Sequence, residues 1–137
     1  MADVPREILD RLRPICLGLP ETYEEPAWTG VRWRVRQRTF AHVLTIDDTS
    51  TSVMRRAFAL TGEVTSVTFR APGEELQALR EAGPPFRHVD WGRDVMAMYL
   101  DESTDWDEVA ELLTDSFCVL APKKLIARVA RPSDLSD

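Results

Sequence analysis

The chain has 137 residues, enough for one domain with a sizeable buried core. Its apolar share of 44% and charged share of 29% exclude the disordered and membrane classes, and no apolar run approaches the roughly 20 residues of a bilayer span. A formal net charge of −6 argues against bulk affinity for nucleic acid.

The N-terminal stretch MADVPREILDR carries acids and arginines where a secretory leader is apolar, so a cytoplasmic protein is expected. Cys16 and Cys118 each sit among apolar neighbours and read as small buried hydrophobes. With two isolated histidines, they lack the spacing of a zinc site. Charge is unevenly placed. Seven acids, Asp101, Glu102, Asp105, Asp107, Glu108, Glu111 and Asp115, run without a basic residue among them. Lys123, Lys124, Arg128 and Arg131 follow, and a second basic cluster is Arg32, Arg34, Arg36 and Arg38. Arginine outnumbers lysine 15 to 2, a bias that by itself multiplies arginines on any surface.

Ile8, Leu9, Leu12, Ile15 and Cys16 share a helical face, with Asp3 placed to cap it and Pro14 expected to end or kink the helix near Leu12–Arg13. Leu19–Trp28, bracketed by Pro20 and Pro26, reads as a loop. Val31, Trp33 and Val35 alternate with Arg32 and Arg34 on a half-buried strand, and Phe40, His42, Leu44 and Ile46 continue the period on a second. Asp47–Thr51 is a polar break, and Met54–Leu60 reads as a short helix. Val64–Arg70 is a third strand, with Val67 and Phe69 on its core side.

Pro72 stands where a first-turn proline belongs, Glu74 and Glu75 suit the helix dipole, Leu76 and Leu79 face inward, and Gly83 ends the helix. Phe86–Val89 and Val95–Leu100 flank the turn Asp90–Arg93 as a second hairpin, and VMAMYL is apolar on both faces. Asp105 and Glu108 form a capping-box pattern ahead of Trp106, Val109, Leu112, Leu113 and Phe117. The expected order is helix, three strands, helix, two strands, helix. That makes a two-layer α+β domain over residues 1–131, its antiparallel sheet of about five strands covered by helices on one face, with 132–137 a flexible tail.

CLGLPETYEE (Cys16–Glu25), WRVRQRTFAHV (Trp33–Val43), TFRAPGEELQALR (Thr68–Arg80), WGRD (Trp91–Asp94) and DWDEVAELLTDSFCVLAPKKL (Asp105–Leu125), in this order, resemble the MmcQ/YjbR-like proteins. The resemblance implies an antiparallel sheet with helices on one side, similar to secretion chaperones. It also implies a DNA-binding role in which two hairpins act as wings. Two positions depart from the pattern: Arg36–Gln37 replaces a glycine-bearing turn, and Phe117 stands where relatives often carry tyrosine.

The hairpin Val31–Ile46 is the main functional candidate, since arginines on a strand's outer face present forked donors suited to phosphate or carboxylate. The plainer reading is a solvated face whose arginines pair with nearby acids. Placing the turn at Arg36–Gln37 opposes Trp33 to Phe40 on the core face, leaves Arg32 and Arg34 outside with Thr39 and Ala41, and sends Arg38 to the core-side rim. Trp91 and Arg93, at the second hairpin's tip, offer a ring to stack on a base, against the plainer reading that Trp91 packs back on the sheet. Lys123 and Lys124 complete the candidate nucleic-acid contacts, or merely offset the last helix's dipole. His42 reads as a core or rim histidine, and Glu21, Glu24 and Glu25 as a solvated acidic loop rather than a metal site. No catalytic motif, metal site or cofactor loop is evident. The expected function is therefore a non-enzymatic DNA-binding domain. The alternatives are a protein- or peptide-interaction module, or homodimer, and a small-ligand or enzymatic role near Leu19–Trp28.

Overall fold

The structure is a computed structural model that describes residues 3–46, 63–89, 91–92 and 94–129. Within them the chain runs α1 (Arg6–Leu17), β1 (Tyr23–Pro26), β2 (Val31–Val35), β3 (Arg38–Ile46), β4 (Val64–Arg70), α2 (Gly73–Ala82), β5 (Phe86–His88), β6 (Val95–Leu100), α3 (Trp106–Leu120) and α4 (Lys123–Ile126). The strands form one antiparallel sheet in the order β1-β2-β3-β4-β6-β5. The α+β class is as expected, with six strands rather than about five. The short helix expected at Met54–Leu60 and the tail lie outside the described residues.

The extra strand is β1, inside the expected loop. Its side chains show no apolar alternation, and it lies at the sheet edge, where Pro26 is tolerated because an edge strand can do without one N–H. The first helix also differs from expectation, running through Pro14 to Leu17. Proline costs the bond to the carbonyl of Asp10, an exposed residue. Burial of Leu12 and Cys16 on either side of the proline outweighs that loss. Nor does Asp3 cap the helix; Pro5 occupies the N-cap position without a side-chain bond. Pro72 likewise stands at the N-cap of α2, one residue before the helix. Asp105 caps α3 as anticipated, accepting from the amides of Asp107 and Glu108 at 3.1 and 3.3 Å.

All helices contribute to one apolar core on one face of the sheet. Trp33, Val43, Val67, Phe69 and Met98 of the sheet meet Leu12, Val109, Leu113, Phe117 and Leu125 of the helices. Leu44, Ile46, Val89, Val95 and Ala97 form a second buried cluster on the opposite face.

The β2–β3 hairpin reverses at Arg36–Gln37, both residues in the left-handed region at φ 49° and 66°, as a two-residue turn between right-twisted strands requires. Two residues further on, the register slips. Trp33 pairs with Ala41 and Arg34 with Thr39, so Phe40 is an extra residue on β3. This bulge corrects the expected alternation. Phe40 and Ala41 both enter the core, Phe40 meeting Phe117 edge-on at 5.7 Å. His42 therefore lies on the outer face opposite Arg32, where Ala41 had been expected. Arg38 stands opposite Val35, exposed at the rim.

Ser116 of α3 secures the bulge. Its buried hydroxyl donates to the Phe40 carbonyl at 2.6 Å and accepts from the Arg70 amide at 2.8 Å, tying one helix to two strands. Ser116→Ala leaves two buried backbone groups without that partner. It is expected to cost about 1–3 kcal/mol in urea unfolding, well above the effect of an ordinary serine-to-alanine change on a helix. A loss under about 0.5 kcal/mol would show that the bulge stands without the serine.

Candidate binding groove

The outer face carries a groove of about 390 Å³ lined by Trp28, Arg32, His42, Thr68, Arg70 and Trp91, with apolar atoms from the strands between them. Each of these side chains is placed by a local backbone feature. Trp28 and Thr29 are the tip of the β1–β2 turn, closed by the Ala27 amide on the Gly30 carbonyl at 3.0 Å. Gly30 has φ 81°, and a Cβ there would stand 1.9 Å from the Val43 carbonyl oxygen, so only glycine lets the turn come this close to β3. Trp28 is left 82% exposed beside the groove. The bulge places His42, whose Nε2–H donates to the Thr29 carbonyl and pins the turn over the sheet. Trp91 lies against the His42 ring at 6.5 Å between centroids, so it does pack on the sheet while remaining 36% exposed. Arg70 ends β4 and brings its guanidinium beside Gly92.

The hairpin arginines are largely engaged by acids of the preceding segment. Glu25 accepts from Arg32 and from Arg34, the latter at 3.1 Å. Arg34 also donates to the Gln37 carbonyl. Glu21 pairs with Arg36 at 3.3 Å and with Arg128 at 3.6 Å. Glu24 holds Arg13 through two bonds, 3.0 and 3.2 Å, and takes the Trp33 indole N–H at 3.0 Å. The acidic loop thus serves the hairpin as a set of counter-ions. Some donor capacity is left over, because the Nε–H groups of Arg32 and Arg34 are buried without a hydrogen-bond partner. Among the described residues lining the groove are two arginines and no carboxylate, so it is locally positive in a protein of net charge −6.

Of the residues singled out in the sequence, the structure brings Arg32 and Trp91 into the groove. Arg34 and Arg36 lie outside its lining, and Arg93 lies outside the described residues. Lys123 and Lys124 are exposed in the first turn of α4, after α3 has ended at Leu120, rather than at the C-terminus of the long helix. Sequence reasoning missed Trp28, Arg70 and the outward placement of His42. The clue to Trp28 was an aromatic beside a glycine at a loop tip; the other two depend on register.

Burial and the Arg32 charge keep the His42 imidazole below its ordinary 6.5, outweighing the Thr29 bond. Burial also opposes ionisation of Glu25, but its bonds to Arg32 and Arg34 prevail and hold the carboxyl below its ordinary 4.5. Both folded values are depressed, so the unfolded chain binds more protons in each window. Stability is therefore present above the ordinary values and lost as pH falls through the folded ones. Urea unfolding is expected to show lower stability at pH 5.5 than at pH 7.5, with a smaller difference in His42→Gln. An unchanged difference in that variant would assign the pH dependence to other groups.

Two likenesses place the chain among known proteins. The model of the YjbR family matches residues 17–119. No functionally curated protein has a matching sequence. The crystal structure of a Deinococcus radiodurans protein with a DUF419 domain superposes with a TM-score of 0.62 at 17% identity, covering 93% of this chain and 91% of that one. At that identity the likeness is one of fold. No helix among the described residues is long and apolar enough to cross a membrane. The match over most of the chain, with the sheet and helices that the resemblance implied, shows that this protein belongs to the YjbR family.

Proposed function

We propose that this is a nucleic-acid-binding domain that takes an unpaired base in the outer-face groove, a base stacking on an indole while Arg32 and Arg70 meet the adjoining phosphates. The observation that carries the reading is the exposed Trp28 at the edge of a positive groove that Trp91 also lines. Every base has a π-face, so tryptophan binds single strands with little sequence preference, while guanidinium groups supply the phosphate contacts. A volume of about 390 Å³ suits one base with its sugar and phosphate, and the groove is open, so a strand can pass through. Binding a duplex between two hairpin wings has weaker support. Arg34, bonded to Glu25 and Gln37, and Arg36, paired with Glu21, lie outside the groove, whereas Arg32 lines it while sharing Glu25 with Arg34.

Titration with a short single-stranded oligonucleotide at low salt tests this through tryptophan fluorescence. Quenching is expected, with Trp28→Ala weakening binding roughly 5- to 150-fold, the loss of one stacked base. Two phosphate contacts predict a log–log salt slope of about −1.4. A mononucleotide that binds as tightly as the oligonucleotide would move the assignment to free nucleotides. Tighter binding of duplex, unaffected by Trp28→Ala, would overturn it.

Glu25→Gln provides an independent check. Freeing Arg32 and Arg34 from their counter-ion is expected to tighten oligonucleotide binding and steepen its salt slope. Weaker binding would mean that Glu25 acts mainly by holding Arg32 in place.

A further inference from the structure

The same groove contains a device for choosing among bases, and the inference rests on the reading just given. We infer that His42 Nδ1 is a hydrogen-bond acceptor that selects bases with an exocyclic amino group over those with a carbonyl at the same position.

The tautomer follows from chemistry. A backbone carbonyl only accepts, so Nε2, bonded to the Thr29 carbonyl, must carry the hydrogen. In the neutral ring the lone pair is then on Nδ1. Among the described residues that atom has no protein partner, and His42 lines the groove. The surroundings favour the neutral ring. Arg32 of β2 and Arg70 of β4 line the groove with His42, the β1–β2 turn presents only uncharged side chains there, and no carboxylate is among the described residues that line it. Glu25, the nearest acid by register, is turned to Arg32 and Arg34. Burial opposes a positive charge on the ring, and Arg32 acts in the same sense.

Geometry supplies the reason a base edge would meet this atom. The His42 and Trp91 rings are 6.5 Å apart and inclined by only 35°. His42 lines the groove together with both indoles, so a base held there has the imidazole within reach. An amino group donates to Nδ1, whereas a carbonyl there sets two lone pairs against each other. The arginines do not share this preference, since they only donate.

Cytosine and uracil differ at this edge with the ring size held constant, which makes them the probe. Oligodeoxycytidine is expected to bind about 3- to 10-fold more tightly than oligodeoxyuridine of equal length at pH 7.5, the worth of one neutral hydrogen bond. The preference should weaken as pH falls from 7.5 to 5.5, to the extent that Nδ1, held below its ordinary 6.5, takes up a proton and becomes a donor. It should vanish in His42→Leu. If that variant does not fold, the pH comparison on the unaltered protein carries the test. Equal affinities at both pH values, with binding still sensitive to Trp28→Ala, would overturn the role of His42 and leave the groove assignment standing. Failure of both oligonucleotides to bind would overturn both.

Discussion

A single buried hydroxyl sits where the rest of this architecture converges. Ser116 bonds the Phe40 carbonyl and the Arg70 amide, and so clamps α3 onto β3 and β4 where β3 carries one residue too many. Without the extra residue, the period-two alternation of β3 would set Phe40 and His42 on the same face. With it, Phe40 joins the core against Phe117 and His42 turns to the opposite surface beside Arg32. The clamp thus divides the hairpin into a packing half and a groove half, and through Arg70 it also reaches the groove's other cation. The bond matters more for where it directs side chains than for the free energy it adds.

Electrostatics complete the division. β1 contributes little apolar surface and is held to β2 by ladder bonds and by carboxylates that neutralise their neighbours. Exposed pairs of this kind add little stability, typically under 1 kcal/mol each. Their effect is on the field. Glu25 and Glu21 offset the charge of Arg34 and Arg36 near the hairpin tip, and Glu25 also shares Arg32; the groove keeps two arginines with no carboxylate among its described lining residues. An acidic protein can present a cationic groove in this way, and the arrangement favours a small, aromatic contact over the broad basic face of a duplex binder.

The core could be read in advance because its signals are local. The stripe of α3, its Asp105 cap, the Arg36–Gln37 turn and the apolar β6 each arise from residues close in sequence. What escaped was set by contacts distant along the chain. The bulge is bonded by Ser116, 76 positions from Phe40, and nothing in TFAHV marks where a strand will take up an extra residue. β1 has no hydrophobic period because its carboxylates serve Arg13, Arg32, Arg34 and the Trp33 indole N–H. Pro14 was overvalued, since its cost is local while the burial of Leu12 and Cys16 is tertiary. The same limit applied to the groove: Arg32 and Trp91 were visible as basic and aromatic residues near turns, but Trp28 and Arg70 join them only once Gly30 and the strand register bring three loops and strands together.

The most direct test is to map where a single strand touches the protein, by ¹H–¹⁵N correlation spectra recorded during titration with a short oligonucleotide. The groove account predicts that the indole N–H signals of Trp28 and Trp91 and the amides of Thr29, Arg32 and His42 move first and furthest, while Arg36, Lys123 and Lys124 stay nearly still. Shifts concentrated at Arg34–Gln37 and Lys123–Lys124, with both indoles unmoved, would contradict it and return the binding surface to the hairpin tip.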